Sequence, residues 1–431
     1  MDQSESFARH KKVIPKWLAL YYSEPIELVS GNGRHVRDVD GKEYLDFFGG
    51  ILTTMTGYGV PEVLDAITGQ ASRMIHSSTL YLISPMIELA EQISELSGIE
   101  EAKVFFTTSG TEANDTALLL ASCFRSSNNV LAVRGSYHGR SLVSMAVTGN
   151  PGYSPSSYYP LNVSYVLGGS RLRGPLAGLS DQQYCDRGVE DLRDLIANGI
   201  GGRVAALIAE PIQGVGGFNL PPDGYFGAIK EVLDEHGILF ISDEVQTGWG
   251  RTGEHFWGYQ AHGIVPDMFT FAKGIGNGLA LAGVVGRSEV MDSLPGSSIS
   301  TFGGNPLAAA AGLANLKYLL DHELQANALH VGRQMMARLQ SGLADSPIVA
   351  EVRGKGLMLG VEIVNPIDGA PSAVGAARVL EETKSMGLLV GRGGVDGNVL
   401  RIAPPLSITE QESDDGVAIL VESIARVARN L

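Results

Sequence analysis

Short apolar runs that stop at glycine, serine or a charged residue recur along the middle of this sequence, and they restrict its fold more than any other feature. Three of them, each with the residues that follow, are Val104-Phe105-Phe106-Thr107 before Ser109-Gly110, Ile238-Leu239-Phe240-Ile241 before Ser242-Asp243, and Met268-Phe269-Thr270-Phe271-Ala272 before Lys273-Gly274. Runs without alternation indicate strands buried on both faces, and helical patterns between them indicate βα units. The sequence therefore predicts an α/β protein with a mainly parallel sheet flanked by helices.

The same patterns predict two domains and an N-terminal segment. The βα rhythm favours a large domain over residues 60–320, which includes a helix from Thr111 to Arg125. Apolar residues at three- and four-residue spacing after position 321 indicate an amphipathic helix, and Thr409 with Glu412 indicates a capping box that starts a last helix. We expect a smaller α+β domain over residues 321–431, with residues 1–59 packing against it.

Composition excludes several classes of function. Acidic residues outnumber basic ones by 47 to 32, without a basic block, so we expect no nucleic-acid partner and no anionic membrane surface. Two cysteines, Cys123 and Cys185, are too few for a disulfide framework or a thiolate metal site, and we predict no metal. The first dozen residues lack the apolar core of a secretory signal, and no apolar run approaches the roughly 18 residues that span a bilayer. These features predict a cytoplasmic protein.

Unusual polar residues follow three of the predicted strands. The segment from Thr107 to Asn114 joins a strand to a helix, and the N–H groups at a helix N-terminus suit a phosphate. Asp243 follows a run apolar enough to desolvate its carboxylate, and Lys273 enters a glycine-rich loop with little water. Taken singly, these residues are typical of an ordinary helix start, a helix cap and a solvated surface charge.

Taken together, the three features match what a pyridoxal phosphate site requires. Such a site anchors a phosphate, holds a carboxylate against the pyridine nitrogen and binds the aldehyde covalently through a lysine. Because ligands of an open parallel sheet bind at the carboxyl ends of its strands, these residues are expected to meet there. Asp243 and Lys273 are then the predicted catalytic residues, with Lys273 also moving the α-proton of the substrate.

The chain resembles the class III aminotransferases, which are pyridoxal-phosphate enzymes of fold type I, over nearly its whole length. The matching segments, in the order of the family, are Ser109-Gly110-Thr111-Glu112-Ala113-Asn114, Tyr137-His138-Gly139-Arg140, Ala209-Glu210-Pro211-Ile212-Gln213-Gly214, Ser242-Asp243-Glu244-Val245-Gln246-Thr247-Gly248, Ala272-Lys273-Gly274 and Thr301-Phe302-Gly303-Gly304-Asn305-Pro306. Within the family it is most similar to the alanine–glyoxylate aminotransferase 2 group. That likeness is carried by Phe256-Trp257-Gly258, Lys273-Gly274-Ile275-Gly276-Asn277-Gly278 and Arg353-Gly354-Lys355-Gly356-Leu357-Met358.

The resemblance implies a role for each matching residue. Ser109, Gly110 and Thr111 would bind the cofactor phosphate, and Thr301 would reach the phosphate of a neighbouring subunit, which implies a homodimer. The remaining residues surround the cofactor ring: Tyr137 and Val245 on its two faces, Asp243 at its nitrogen, Gln246 at its hydroxyl, and His138 and Glu210 in the supporting polar network.

Two arginines bear on the substrate. Arg401 matches the family arginine that binds the α-carboxylate, and a guanidinium fits a carboxylate with two parallel hydrogen bonds. A structural salt bridge is its alternative reading. Val215 after Gln213-Gly214 stands where ornithine and 4-aminobutyrate enzymes carry a glutamate that masks this arginine, which favours small α-amino and α-keto acids. Arg140 matches a second carboxylate-binding arginine of those enzymes.

Three functional hypotheses follow. The leading one is a ping-pong aminotransferase that moves an amino group from an alanine-like donor to pyruvate, glyoxylate or 2-oxoglutarate. The alternative is an ω-aminotransferase for 4-aminobutyrate, ornithine or β-amino acids, or a decarboxylating relative. A nucleotide-dependent dehydrogenase rests on Gly274-Ile275-Gly276 alone, and the third glycine of that motif falls on Leu279. The segment from Gly57 to Pro61 departs from the Gly-His-Cys-His-Pro that is usual in the family.

Overall fold

The computed structural model describes residues 3–430 and contains three sheets with helices around them. The strands are β1 Leu28–Asn32, β2 His35–Asp38, β3 Glu43–Asp46, β4 Ala102–Thr107, β5 Asn129–Val133, β6 Asn162–Val166, β7 Ala206–Ala209, β8 Leu239–Asp243, β9 Met268–Phe271, β10 Ala282–Arg287, β11 Val349–Lys355, β12 Met358–Ile363, β13 Leu388–Leu389, β14 Gly391–Gly393 and β15 Val399–Ile402. The helices are α1 Gln3–Val13, α2 Gly49–Leu52, α3 Pro61–Ala71, α4 Ser84–Ser97, α5 Gly110–Arg125, α6 Leu142–Ala146, α7 Asp181–Asp194, α8 Tyr225–Glu235, α9 Ser288–Met291, α10 Pro306–Asp321, α11 Leu324–Leu343, α12 Ala373–Ser385 and α13 Glu410–Ala428. None of them is long and apolar enough to cross a membrane within the described range.

The central sheet has seven strands in the order β4-β10-β9-β8-β7-β5-β6. Six strands share one direction, and β10 runs antiparallel to both of its neighbours, β4 and β9. Every residue of β7, β8 and β9 is buried, which is what unalternating apolar runs dictate when helices cover both faces. The predicted α/β architecture with a mainly parallel sheet is confirmed.

Helices cover the central sheet on both faces. On one face, α5 buries its alanines and leucines, such as Ala117 and Leu118, against Ile208 and Ile241. On the other face, α7 and α8 bury aromatic and aliphatic side chains, such as Tyr184 and Phe226, against strand residues of that side. Packing against the sheet fixes the position of α5, whose N-terminus lies at the end of β4.

Two smaller sheets lie outside the central one, and the N-terminal and C-terminal parts of the chain meet in the first of them. In the first, β1, β2 and β3 form an antiparallel meander and β3 pairs in parallel with β13, so strands about 340 residues apart lie side by side. The second sheet, in the order β11-β12-β15-β14, is antiparallel throughout. The predicted amphipathic stripe of α11 is buried, and the predicted capping box of Thr409 and Glu412 is present. Met1, Asp2 and Leu431, the ends of the predicted domains, lie outside the described residues.

Candidate active site

Five strands of the central sheet, β4, β5, β7, β8 and β9, end at the same edge, and the residues that follow them surround one cavity. Because the strands are parallel, their carboxyl ends bring together segments that are far apart in the sequence. The cavity is lined by Gly110, Thr111, Asn114, Tyr137, His138, Gly139, Glu210, Asp243, Val245, Gln246, Ala272 and Lys273. Nine of these are residues for which the sequence predicts a role in the site.

Asp243, the last residue of β8, is the centre of a buried hydrogen-bond network. His138 Nδ1 lies 2.7 Å from its Oδ2, and Asn114 Nδ2 donates to the same oxygen at 2.8 Å. The backbone N–H of Val245 donates to Oδ1 at 3.1 Å. These three contacts come from three different elements, so they fix the carboxylate in one orientation at the wall of the cavity.

Asn114 is a site residue to which the sequence analysis assigned no role. Its Nδ2 donates to Asp243 and, at 2.7 Å, to the carbonyl of His138, while its Oδ1 accepts from Thr270 Oγ1 at 2.7 Å. Thr270 lies beside Asp243 in the pairing of β8 with β9. Asn114 thus joins the start of α5 to both strands, and the sequence signal was an asparagine in the second turn of a helix that packs on the sheet.

Lys273 begins a short 3-10 turn directly after β9 and has a φ of 51°, which a side chain other than glycine adopts at some energetic cost. Asn315 holds the turn by donating to the carbonyls of Gly274 and Ile275. The pKa of Lys273 is lowered to about 8, chiefly because burial destabilises the ammonium form. Arg401 acts in the same direction, and Asp243 and Glu210 oppose it.

Glu210 follows β7 and connects two other segments of the cavity wall. Its two oxygens accept from the N–H groups of Tyr137 at 2.9 Å and Gly214 at 2.7 Å. Burial raises the pKa of Glu210 to about 7, against the opposing effect of His138. This carboxyl group therefore anchors the Tyr137 segment through its backbone.

The N-terminus of α5 also borders the cavity, through Gly110 and Thr111. Ser109 caps the helix by accepting from Glu112 N, and Glu112 in turn accepts from Thr108 N. A methyl group added to Gly110 would lie 3.1 Å from Val245 Cγ2, so glycine allows the helix start to approach β8 closely. The first N–H groups of a helix have no partner within it, and here they face a cavity that an anion can enter.

Arg401 reaches the site from β15, in the second of the smaller sheets. It is 3% exposed, and its Nη2 donates to Gln246 Oε1 at 2.7 Å. Its guanidinium lies between the rings of Phe48 and Phe218, with Cζ 5.3 and 4.8 Å from their centroids. Its Nε has no hydrogen-bond partner in the part of the chain that the structure describes, and the pKa of Arg401 is lowered by burial.

Four of the predicted site residues do not line the cavity. Ser109 and Arg401 lie next to lining residues, as described above. Arg140 is exposed and places its guanidinium 5.5 Å from the ring of Trp17. Thr301 is exposed in the loop between α9 and α10. The structure therefore gathers the predicted cofactor residues and leaves the predicted intersubunit residue at the surface.

Comparison with known proteins identifies the family. The profile of the family described as Aminotransferase class-III matches residues 21–424. This chain is a class III aminotransferase. The family uses pyridoxal phosphate, and the predicted resemblance, including the likeness to the alanine–glyoxylate aminotransferase 2 group, is confirmed.

Individual relatives of this aminotransferase have several different activities. The mitochondrial alanine–glyoxylate aminotransferase 2 homolog 2 of Arabidopsis thaliana is 36% identical over 97% of this chain and 87% of its own length. An alanine/serine racemase of Pyrococcus horikoshii is 35% identical over 97% of this chain and 90% of its own. A solved (S)-enantioselective ω-transaminase of Thermomicrobium roseum is 33% identical and superposes with a TM-score of 0.91, covering 100% of this chain and 99% of the other.

Proposed function

We propose that this aminotransferase moves an amino group from a small, alanine-like amino acid to pyruvate, glyoxylate or 2-oxoglutarate in two half-reactions. The observation that carries the proposal is the cavity at the sheet edge. There the N-terminus of α5, the Asp243 carboxylate and the Lys273 amine face one another, and Arg401 lies beside Gln246. Bound pyridoxal phosphate supplies an electron sink for the α-carbon and carries the amino group between the half-reactions.

The residues present fit that cofactor. Gly110 and Thr111, with Ser109 at the cap, would bind the phosphate through N–H groups at the start of α5. Among the described residues Asp243 Oδ1 accepts one hydrogen bond, from Val245, and so can accept another from the ring nitrogen. Tyr137 and Val245 would lie on the two ring faces, and Gln246 would donate to the ring hydroxyl. His138 and Glu210 would hold Asp243 and Tyr137 in place.

Lys273 is suited both to bind the cofactor aldehyde and to move a proton. Since burial lowers its pKa to about 8, a substantial fraction of the amine is neutral near physiological pH and can act as a nucleophile. The same amine would also accept the proton from the α-carbon of a bound substrate. The buried turn that holds Lys273 keeps it directed into the cavity.

Arg401 would bind the α-carboxylate of the substrate. In residues 3–430 it forms no ion pair, and its unpartnered Nε leaves a donor for a carboxylate oxygen. Val215 provides no carboxylate to mask it. A buried guanidinium without a counter-ion is costly, and a substrate carboxylate would relieve that cost with two parallel hydrogen bonds.

The ω-aminotransferase alternative rests on Arg140. Its guanidinium is exposed, forms no ion pair among the described residues and lies over the ring of Trp17. Such an arginine can bind a distal carboxylate if it turns toward the cavity.

The substrate proposal is tested by a panel of amino donors with pyruvate, glyoxylate and 2-oxoglutarate as acceptors. L-Alanine should be among the best donors, with 4-aminobutyrate, ornithine and β-alanine at least about tenfold lower in kcat/KM, since Arg401 favours α-carboxylates. Preference for an ω-amine would overturn the proposal in favour of the alternative. Loss of optical activity from L-alanine without a keto acid, or release of carbon dioxide, would indicate a racemase or a decarboxylating enzyme.

We also propose a homodimer in which Thr301 reaches the phosphate site of the partner subunit. Its support is an exposed apolar surface near the loop that carries Thr301. The ring of Phe302 contacts the ring of His76, and large exposed apolar side chains lie near both residues in the sequence. The exposed fractions of these side chains are 61% for Ile75, 74% for Leu80, 71% for Tyr81, 92% for Leu82 and 53% for Ile299. Apolar patches of this kind mark protein interfaces. A monomeric mass in light scattering at micromolar concentration would overturn the dimer.

The cytoplasmic location is likewise a proposal, which fractionation of the native host tests.

A further inference from the structure

The segment Gly49–Leu52 has a left-handed backbone. Its four residues have φ values of 54°, 59°, 68° and 61° in order, and two of them, Ile51 and Leu52, are not glycine. For such side chains this conformation costs roughly 1–2 kcal/mol per residue. Two hydrogen bonds of the turn, from Leu52 N to Phe48 O and from Thr53 N to Gly49 O, do not by themselves account for its persistence. Something outside the turn has to hold it.

The side chain of Asp46 supplies that support. Its Oδ1 accepts from the N–H groups of Phe48 at 2.8 Å and Gly49 at 2.9 Å, the residue before the turn and the first residue of the turn. Its Oδ2 accepts from the hydroxyl of Tyr58 at 2.7 Å. Asp46 is 3% exposed, and no cation pairs with it among the described residues. Tyr58 is therefore the one side chain that donates to this buried carboxylate in the described structure.

Tyr58 is itself fixed by the first of the smaller sheets. Its backbone exchanges two hydrogen bonds with Gly33, at 2.7 and 2.8 Å, and its ring lies against Gly31, where an added methyl group would come within 2.6 Å. It belongs to the segment Gly57–Pro61, which differs from the usual family pattern. The position of its hydroxyl is thus set by β1 and the connection that follows it, and not by the turn that it supports through Asp46.

Phe48 connects the turn to Arg401. The ring of Phe48 lies on the backbone of Gly391, where an added methyl group would come within 2.1 Å, and Gly391 pairs with Arg401 in the second of the smaller sheets. The same ring also contacts the guanidinium of Arg401, whose Cζ lies 5.3 Å from the ring centroid. A change in the direction of the chain at Phe48 would therefore move a ring on which the guanidinium lies.

We propose that Tyr58 is a positioning residue for substrate recognition: by donating to Asp46 it holds the left-handed turn, and through Phe48 it keeps the Arg401 guanidinium directed at the substrate carboxylate. This inference rests on the proposed role of Arg401. Without the Tyr58 hydroxyl, the Asp46 carboxylate loses its side-chain donor, the turn gains freedom, and Phe48 no longer fixes one face of the guanidinium. Recognition of a carboxylate is then weakened more than the reaction at the amino group.

The chain offers a matched control for this experiment. Tyr44 donates to Asp38 Oδ2 at 2.7 Å, and Asp38 Oδ1 accepts from the N–H groups of Asp40 and Lys42. The chemistry is the same as in the pair of Tyr58 and Asp46, but the loop that Asp38 holds is not connected to Arg401 by these contacts. Tyr44→Phe therefore reports the general cost of removing such a hydroxyl.

The test compares L-alanine with isopropylamine, in which a methyl group replaces the carboxylate, as donors to glyoxylate. Tyr58→Phe should raise the KM for alanine about tenfold, as loss of a hydrogen bond to a charged group permits, and change its kcat and the KM for isopropylamine less than about twofold. Tyr44→Phe should leave all of these within about twofold. The dissociation constant of propionate, measured by calorimetry, should rise about tenfold in Tyr58→Phe alone and gives a reading that does not depend on turnover.

Asp46→Asn provides a second variant: its oxygen still accepts from the backbone, and its amide donates to the Tyr58 oxygen, so the contact is kept with its direction reversed. It should therefore raise the KM for alanine less than Tyr58→Phe does. Equal changes for alanine and isopropylamine, or no weakening of propionate binding, would overturn the positioning role. Arg401→Ala separates the two proposals. If it affects both donors equally, the carboxylate role of Arg401 fails and this inference fails with it. If it is selective for alanine while Tyr58→Phe is not, this inference alone fails.

Discussion

Asp243 and Arg401 are charged, buried and close to the same cavity, yet the molecule holds them in different ways. Asp243 stands at the end of a strand in the central sheet and has contacts from His138, Asn114 and Val245. Arg401 comes from a smaller antiparallel sheet, donates to Gln246 and leaves its Nε without a partner in the described residues. The protein supplies most of the hydrogen bonds that the Asp243 carboxylate can accept, whereas Arg401 keeps a donor that a ligand can use.

The difference corresponds to what each group would bind. A cofactor stays through many turnovers, so a carboxylate fixed in advance costs no reorganisation during the reaction. A substrate enters and leaves in each half-reaction, and an arginine with unused donors gains its partner at that moment. In the proposed function, a rigid chemical site on the central sheet is thus separate from a recognition site that the N-terminal segment and the smaller sheets would complete.

Loss of Lys273 should have the largest effect in either region. Lys273→Ala removes the amine that would bind the cofactor and move the α-proton, so keto-acid-dependent amino transfer should fall at least about 10³-fold. Lys103→Ala, which changes an exposed lysine on β4, is the control and should retain full activity. Undiminished transfer in Lys273→Ala would remove the assignment of this cavity as the site of the reaction.

Loss of Arg401 should affect one class of substrate. Arg401→Ala should raise the KM for alanine and for pyruvate about 10²-fold, because two charge-assisted hydrogen bonds to the carboxylate are lost. Steady-state kinetics with a simple amine as donor should show a much smaller change in the KM of that amine. An equal rise for both donors would mean that Arg401 stabilises the site as a whole and does not recognise carboxylates.

Loss of Asn114 should weaken the central-sheet site without abolishing it. Asn114→Ala removes a donor to Asp243 and leaves the Thr270 hydroxyl without its acceptor, so we expect kcat to fall about tenfold with KM nearly unchanged. A double-mutant cycle with Thr270→Val tests the network, since residues in one hydrogen-bond chain give non-additive effects. Additive losses would show that Asn114 acts without Thr270.

The smallest effect should reveal electrostatic coupling between the two regions. The neutral amine captures an aldehyde, so the rate at which cofactor-free enzyme binds pyridoxal phosphate should rise with pH and reach half its maximum near pH 8, the pKa of Lys273. Arg401→Ala removes a positive neighbour and should move this midpoint to higher pH, whereas Asp243→Asn should move it to lower pH. Stopped-flow absorbance measures all three profiles, and a midpoint that Arg401→Ala leaves unchanged would contradict the coupling.

Much of the central sheet could be predicted because its signals are local. The apolar run before Asp243 identifies β8, and the spacing of Thr409 and Glu412 identifies the start of α13. The antiparallel insertion of β10 could not be predicted, because a buried strand shows the same apolar run in either direction. Nor could the left-handed turn, since Ile51 and Leu52 individually disfavour it and the support comes from Asp46 and Tyr58.

The sequence by itself determined the succession of buried strands and helices and the chemical groups at the strand ends, because hydrophobic period and helix capping act over a few residues. Tertiary structure alone decided which distant groups meet. Asn114 and Thr270, which form a hydrogen bond, are 156 positions apart in the sequence, and Arg401 and Gln246 are 155 apart. Such pairings depend on strand order and on the packing of one sheet against another. No local sequence pattern specifies these pairings, because each one depends on how the sheets pack against each other.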